Sequence, residues 1–353
     1  MARPLLLPMN AVRRWATAQV AAHPKDFTGA LARSFGVTRS AAAPVVRQLV
    51  SEAFVLRTGG ATRPVFAPGP SRWIEAELPL AGLDESAVWE QHLAPWLSLP
   101  ANVENALHYG VTEMVNNACD HSAGQRLRLS CAVAGGVVYI TIGDDGVGIF
   151  ERVSRAFGLA DRRLALLELA KGRVTTDPAR HSGEGIFFTS RAFSVFRLEA
   201  NGLVYERRNP EPGQPESERL IELPGAAPEA APMQGTTVRM AMRTHSRVVL
   251  RELFEHYTTG APDDLTFDRT VVPVRLARLG RENLLSRSQA RRVISGIDRF
   301  KVVELDFEGV PEIGQAFADE LFRVFAAAHP GIELWPTNAG PGVLPMIRRV
   351  TGR

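Results

Sequence analysis

Cysteine is nearly absent from this 353-residue chain: Cys119 and Cys131 are the only two, and neither sits in a paired-Cys or Cys/His spacing. That excludes a disulfide framework and a structural zinc site, and it suits a reducing, cytoplasmic setting. Long apolar runs are missing as well. No stretch approaches the ~18 residues that cross a bilayer, and Leu5-Leu6-Leu7 is stopped by Pro8 short of the ~7–15 apolar residues of an export signal. Neither a membrane span nor a leader is expected. Repeats and low-complexity tracts are lacking too. Between Ser295 and Thr337 there is no Ser, Thr or Tyr, so that stretch offers no hydroxyl to accept a phosphate.

What is present is enough chain for two or three units at ~100–200 residues each. Charge is unevenly spread over them. Residues 1–72 carry ten Lys/Arg against Asp26 and Glu52, a net +8, so the remainder of a +3 chain is −5. A basic head suits an anionic partner, nucleic acid first, because neutralised phosphates release counterions.

Three regions differ in pattern. In residues 1–70, amphipathic stretches at 11–22, 27–35 and 45–53 predict three helices, and Thr58-Gly59-Gly60-Ala61 between apolar runs predicts a hairpin. In residues 71–245, Val103, Leu107, Val111, Met114 and Ala118 recur at three- or four-residue spacing after Pro100, the stripe of a helix packed on a core. Leu127 to Val133 and Val138 to Ile142 then alternate about Gly135-Gly136, a second hairpin; Asn201-Gly202 marks a third. In residues 246–353, strands and helices alternate, as in a small α/β layer fold.

The polar residues with chemical promise lie in the middle region. Glu113, Asn117 and His121 recur at i, i+4 and i+8 and share one face of the Pro100 helix. Asp144 ends a strand, where its carboxylate can accept a hydrogen bond from an exocyclic amine, and Gly146 and Gly148 allow a ring to approach the backbone. Gly183 and Gly185 precede a helix expected near Ile186, whose amides would face phosphates. The Asn117 amide oxygen suits Mg²⁺, and Glu113 is placed to polarise a hydroxyl or water.

In their order, Glu113-x-x-x-Asn117-Ala118-x-x-His121, Asp144-x-Gly146-x-Gly148, Gly183-x-Gly185 and Gly235-Thr236 resemble the motifs of the GHKL ATPases, over about 170 residues. The resemblance is closest to the anti-sigma-factor kinase type. It implies an α/β sandwich with helices on one face of a mixed sheet, ATP bound between them, Asn117 on Mg²⁺, Asp144 on adenine with Thr236 beside it, and Glu113 as base. The helix expected at 161–170 and the polar 173–181 would form its lid, with Lys171, Arg173 or Arg180 reaching the phosphates or simply solvated.

The flanks carry resemblances of their own. Residues 1–70 resemble a winged helix-turn-helix in which Gly36-Val37-Thr38-Arg39-Ser40 turns into the recognition helix, implying DNA contacts by Arg39 and Arg47 and, at the wing, Arg57 and Arg63. Pro44 departs from that pattern, since it costs a helix interior ~3 kcal/mol or delays its start. Residues 246–353 resemble a STAS-like domain through Val303 to Val310 and Phe317 to Leu321. Gln315-Ala316 stand where antagonists of that fold carry a phosphorylated serine, so packing or protein recognition is its expected role. The whole reads as an α/β multidomain regulator, monomeric or oligomeric, in which ATP and Mg²⁺ control a DNA-binding head. The alternative is an anti-sigma-like protein-serine kinase or binding module acting on a protein partner.

Overall fold

The computed structural model describes residues 7–174, 183–209, 217–222, 235–260, 265–280 and 282–352. Arg180 and most of the two Pro-rich loops, at 209–217 and 225–232, lie outside them. Among the described residues no helix is long and apolar enough to cross a membrane.

The chain opens with α1 (Met9–Gln19), α2 (Phe27–Ser34), α3 (Arg39–Ser51) and an antiparallel hairpin of β1 (Val55–Gly59) and β2 (Pro64–Pro68). Val12, Phe27, Leu31, Leu49 and Phe66 close a core of their own. Thr38 caps α3, its Oγ1 accepting from the Ala41 amide at 3.2 Å. The helix starts at Arg39 and runs through Pro44, so no delayed start is needed. The amide that proline lacks would have bonded the carbonyl of Ser40, a residue exposed to solvent.

The central body begins with β3 (Arg72–Pro79) and the short α4 (Glu85–Val88), then α5 (Ala101–His121), β4 (Arg126–Ala134) and β5 (Val137–Asp144). It continues through α6 (Ile149–Phe157), α7 (Leu164–Lys171), α8 (Gly185–Ala192), β6 (Val195–Ala200), β7 (Leu203–Arg208), β8 (Ser217–Glu222) and β9 (Thr236–Arg243). The strands lie in the order β3-β4-β5-β9-β6-β7-β8. Every neighbouring pair is antiparallel, so the sheet is not the mixed one that the resemblance implies. Three hairpins account for most of the order, and β9 returns to fill the gap between β5 and β6, opposed to both.

The apolar stripe of α5 is buried along its length: Val103, Leu107, Val111, Met114 and Ala118 meet inward residues of the sheet such as Ile140, Leu198 and Met240. Each large apolar side chain enclosed there contributes about 1.5–3 kcal/mol. The opposite face, with Arg128, Tyr139 and Arg239, is open to solvent. The helix α6 was not foreseen in the sequence, although Gly148 precedes it and Gly158 ends it in the left-handed region.

After α9 (Leu250–His256) come β10 (Arg269–Pro273), α10 (Arg287–Ile294), β11 (Val302–Asp306), α11 (Gln315–Asp319), a π-helical turn to Phe325, α12 (Ala326–Ala328), β12 (Glu333–Thr337) and α13 (Leu344–Thr351). The strands form a parallel sheet β10-β11-β12 in which Val271, Glu304 and Trp335 are in register. Helical crossovers are what parallel neighbours require. Its core is not private: Leu167 of α7 and Phe187 and Phe188 of α8 join Phe267, Phe300 and Phe317 in one cluster. The ring centroids of Phe187 and Phe267 stand 4.6 Å apart.

Candidate functional site

A cavity opens beside α5, with about 730 Å³ of space between atoms when the open solvent at its mouth is included. Its walls are largely apolar, including Met114, Ile142, Ile149, Leu169, Ile186, Leu198 and Val238, and its polar lining includes Asn117, His121, Asp144, Arg152 and Thr236. The polar lining comes together because α5, the loop from the end of β5 to the start of α6, and the start of β9 meet at one end of the sheet.

Asp144 is tied to the wall by two amides, its Oδ1 accepting from Gly146 N at 2.8 Å and Thr236 N at 3.2 Å. Burial raises its pKa, and those same two amides oppose the rise. The Thr236 hydroxyl oxygen accepts from Ile149 N at 3.1 Å and so closes the loop between β5 and α6 on β9. Next to it, Asp145 serves the fold: its Oδ1 accepts from Gln125 N at 2.7 Å and Arg126 N at 3.0 Å, which holds its carboxyl below the ordinary value.

Gly148 lines the cavity with φ at 84°. A Cβ there would collide with the side chain of Asn201, a residue that reads in sequence only as half of a turn. Asn201 is buried; its Oδ1 accepts from Glu151 N at 3.1 Å and its Nδ2 donates to Val147 O at 3.0 Å. The only signal in the sequence was the Asn-Gly pair, which the turn alone explained; in the structure Asn201 takes φ 51°.

Other residues singled out in the sequence fall elsewhere. Glu113 and Gly185 are outside the cavity lining and face each other: a Cβ on Gly185 would collide with Glu113 Oε2. Burial raises the pKa of Glu113, with added repulsion from Glu184 and Glu85. Gly183 accepts from Val174 N at 3.1 Å, and Gly146 packs on Ser122. Lys171 is not poised toward a phosphate. It is buried, with Nζ donating to Glu168 Oε1 and Arg292 O, both at 2.8 Å, and to Ser295 O at 2.9 Å.

In the head, Arg39, Arg47, Arg57 and Arg63 are all exposed. Arg47 and Arg57 line one shallow groove between α3 and the hairpin, whereas Arg39 and Arg63 lie outside it. Arg39 approaches Asp26 at 3.9 Å.

The Asn117 Nδ2 is buried without a hydrogen-bond partner among the described residues. An amide left unsatisfied in a cavity wall fits a ligand site, since burying such a group unpaired is costly. No group of three or more His, Cys, Asp or Glu able to hold a metal occurs among the described residues. A magnesium ion here would therefore rely on Asn117 together with ligand oxygens, as that ion commonly does.

Residues 289–344 match a family model described as a STAS-like domain of unknown function. No curated protein matches the chain. The C-terminal end of this α/β multidomain protein is thus STAS-like.

Proposed function

We propose that residues 71–245 form a GHKL-type ATP-binding domain and that its nucleotide state governs the basic head, read as a winged helix that binds DNA. The observation carrying this reading is the convergence of Asn117, Asp144, Gly148 and Thr236, from segments as far apart in sequence as α5 and β9, on one largely apolar cavity. Apolar walls with a carboxylate at one point suit a flat base bearing an exocyclic amine. Asn117 supplies the oxygen for magnesium. Glu113, half-buried and with its pKa raised by desolvation, is shifted in the direction that suits a general base.

Titration of the full chain with ATP, with and without Mg²⁺, tests the proposal. Wild type is expected to bind; Asp144→Ala loses nucleotide affinity, and Asn117→Ala loses the magnesium dependence. Retained affinity in Asp144→Ala would sink the adenine assignment. DNA retention on a filter, compared with and without Mg-ATP and after Arg47→Ala/Arg57→Ala, tests the link to the head. Labelled phosphate on a copurified protein, lost in Glu113→Ala, would instead favour the protein-serine kinase reading.

A further inference from the structure

Past the end of α7 the backbone takes two successive residues into the left-handed region, Gly172 at φ 77° and Arg173 at φ 54°. A non-glycine residue stays there only where its surroundings over-determine it. Those surroundings belong to the C-terminal unit. Arg173 Nη1 donates to Arg299 O at 3.1 Å, and Arg299 Nη1 donates back to Arg173 O at 2.5 Å. The guanidinium carbon of Arg173 stands 5.6 Å from the ring centre of Phe267 and 5.5 Å from that of Phe300, within the range of cation–π attraction. Just before it, Lys171 is held by the carbonyls of Arg292 and Ser295, and its own carbonyl accepts from Thr270 Oγ1 at 2.6 Å.

From the other side Arg173 faces the central body. Its Nε lies 3.6 Å from Glu184 Oε1, while the adjoining Val174 amide donates to Gly183 O. Glu184 directly precedes Gly185, the residue pressed against the Glu113 carboxylate. The Glu184 charge adds to the effect of burial on Glu113 and on Tyr109, and Glu85 also acts on Glu113. One arginine therefore connects the STAS-like unit to the pair of carboxylates beside α5.

We propose that Arg173 is a positioning residue, clamped by the C-terminal unit, that fixes Glu184 and the start of α8 beside Glu113. This makes the STAS-like unit a working part of the nucleotide site. The inference rests on the ATP reading of residues 71–245 and adds to it how that site is regulated: whatever loosens Phe267, Phe300 or Arg299 from Arg173 alters turnover through Glu184 and the start of α8.

The test uses the full chain and compares wild type, Arg173→Gln, Arg173→Lys and Phe300→Leu, with Mg-ATP affinity and hydrolysis measured apart and amide exchange followed at Val174. Arg173→Gln is expected to bind Mg-ATP within about twofold of wild type while kcat falls about tenfold to a hundredfold, the cost of misplacing a reacting group by about 1 Å. Exchange at the Val174 amide accelerates. Arg173→Lys, which keeps a cation for Glu184 and the two rings, restores most of the turnover. Phe300→Leu, changed only in the C-terminal unit, moves kcat and Val174 exchange in the same direction as Arg173→Gln, and it serves as the decisive variant should Arg173→Gln not fold. Wild-type kcat and wild-type exchange in Phe300→Leu would overturn the proposal. Failure of wild type to bind ATP would instead remove the nucleotide reading, and Val174 exchange would still decide whether the C-terminal unit holds Arg173.

Discussion

The N-terminal head meets the central sheet along β3, where Thr17 Oγ1 accepts from the Trp73 amide at 3.1 Å and Arg14 reaches Glu75 at 3.4 Å, both side chains well exposed. Its core receives one side chain from the central body, the partly buried Trp73 of β3. The C-terminal unit meets the same body by sharing a core with it, Phe187 and Phe188 of α8 interleaving with Phe254, Tyr257 and Phe267. Polar contacts at an edge permit a unit to move as one piece, because water replaces them at little cost. A shared aromatic core does not, since parting it exposes apolar area on both sides. The head is thus joined to the body less tightly than the tail is.

The largest effect expected from this contrast is at Phe267. Phe267→Ala empties the shared cluster and should cost about 3–5 kcal/mol, with the central and C-terminal units unfolding in one urea transition. Arg14→Ala, at the other junction, should change stability by no more than about 1 kcal/mol. Separate transitions for the C-terminal unit in Phe267→Ala would break the comparison.

Lys171 gives the next effect. Burial lowers its pKa, Glu168 opposes that, and the pair is enclosed where α7 meets the C-terminal unit. Lys171→Met leaves Glu168 without its cation and should destabilise by about 3 kcal/mol, whereas Lys171→Met/Glu168→Leu should recover most of the loss. Equal stability of the single and double variants would show that the pair is not coupled.

The smallest effects are two titrations of opposite sign. Glu113 has a folded pKa above the ordinary 4.5, so between the two values the native state holds more protons and stability falls as pH rises. Glu113→Gln removes that slope: it should be more stable than wild type at neutral pH, with the difference gone below pH 4.5. Glu52, bonded by Arg13 through two contacts of 2.8 Å, has a lowered pKa. Its contribution is present above the ordinary value and lost as pH falls through the depressed one. In Arg13→Gln the head should lose the part of its acid sensitivity that the Arg13–Glu52 pair supplies, and near-UV dichroism of Trp15 and Trp73 would follow it.

Much of the body is legible in the residues alone. The α5 stripe declares itself by spacing, and the hairpins by Gly135-Gly136 and Asn201-Gly202, because a turn or a helical face is settled by neighbours within a few positions. The convergence of Asn117, Asp144, Gly148 and Thr236 is only partly so: the order of the segments suggests it, but the antiparallel return of β9 brings Thr236 to Asp144. Asn201 and α6 were missed for one reason. The loop that Asn201 holds was read as a glycine motif, and a motif says nothing of the side chain packed behind it.

Sequence by itself determined most of the helices, strands and turns, though not α6, where the basic head ends, and that the stretch from 296 to 336 has no hydroxyl. Tertiary structure alone decided the partners. Lys171 before Gly172 reads as a solvated charge at a helix end, yet it donates to carbonyls 121 and 124 residues further on. Arg173 reads as lid and is instead the joint between two units. Local pattern is set by backbone periodicity over a few residues. The worth of a charge is set by what excludes water from it, and here that is a segment over a hundred residues away.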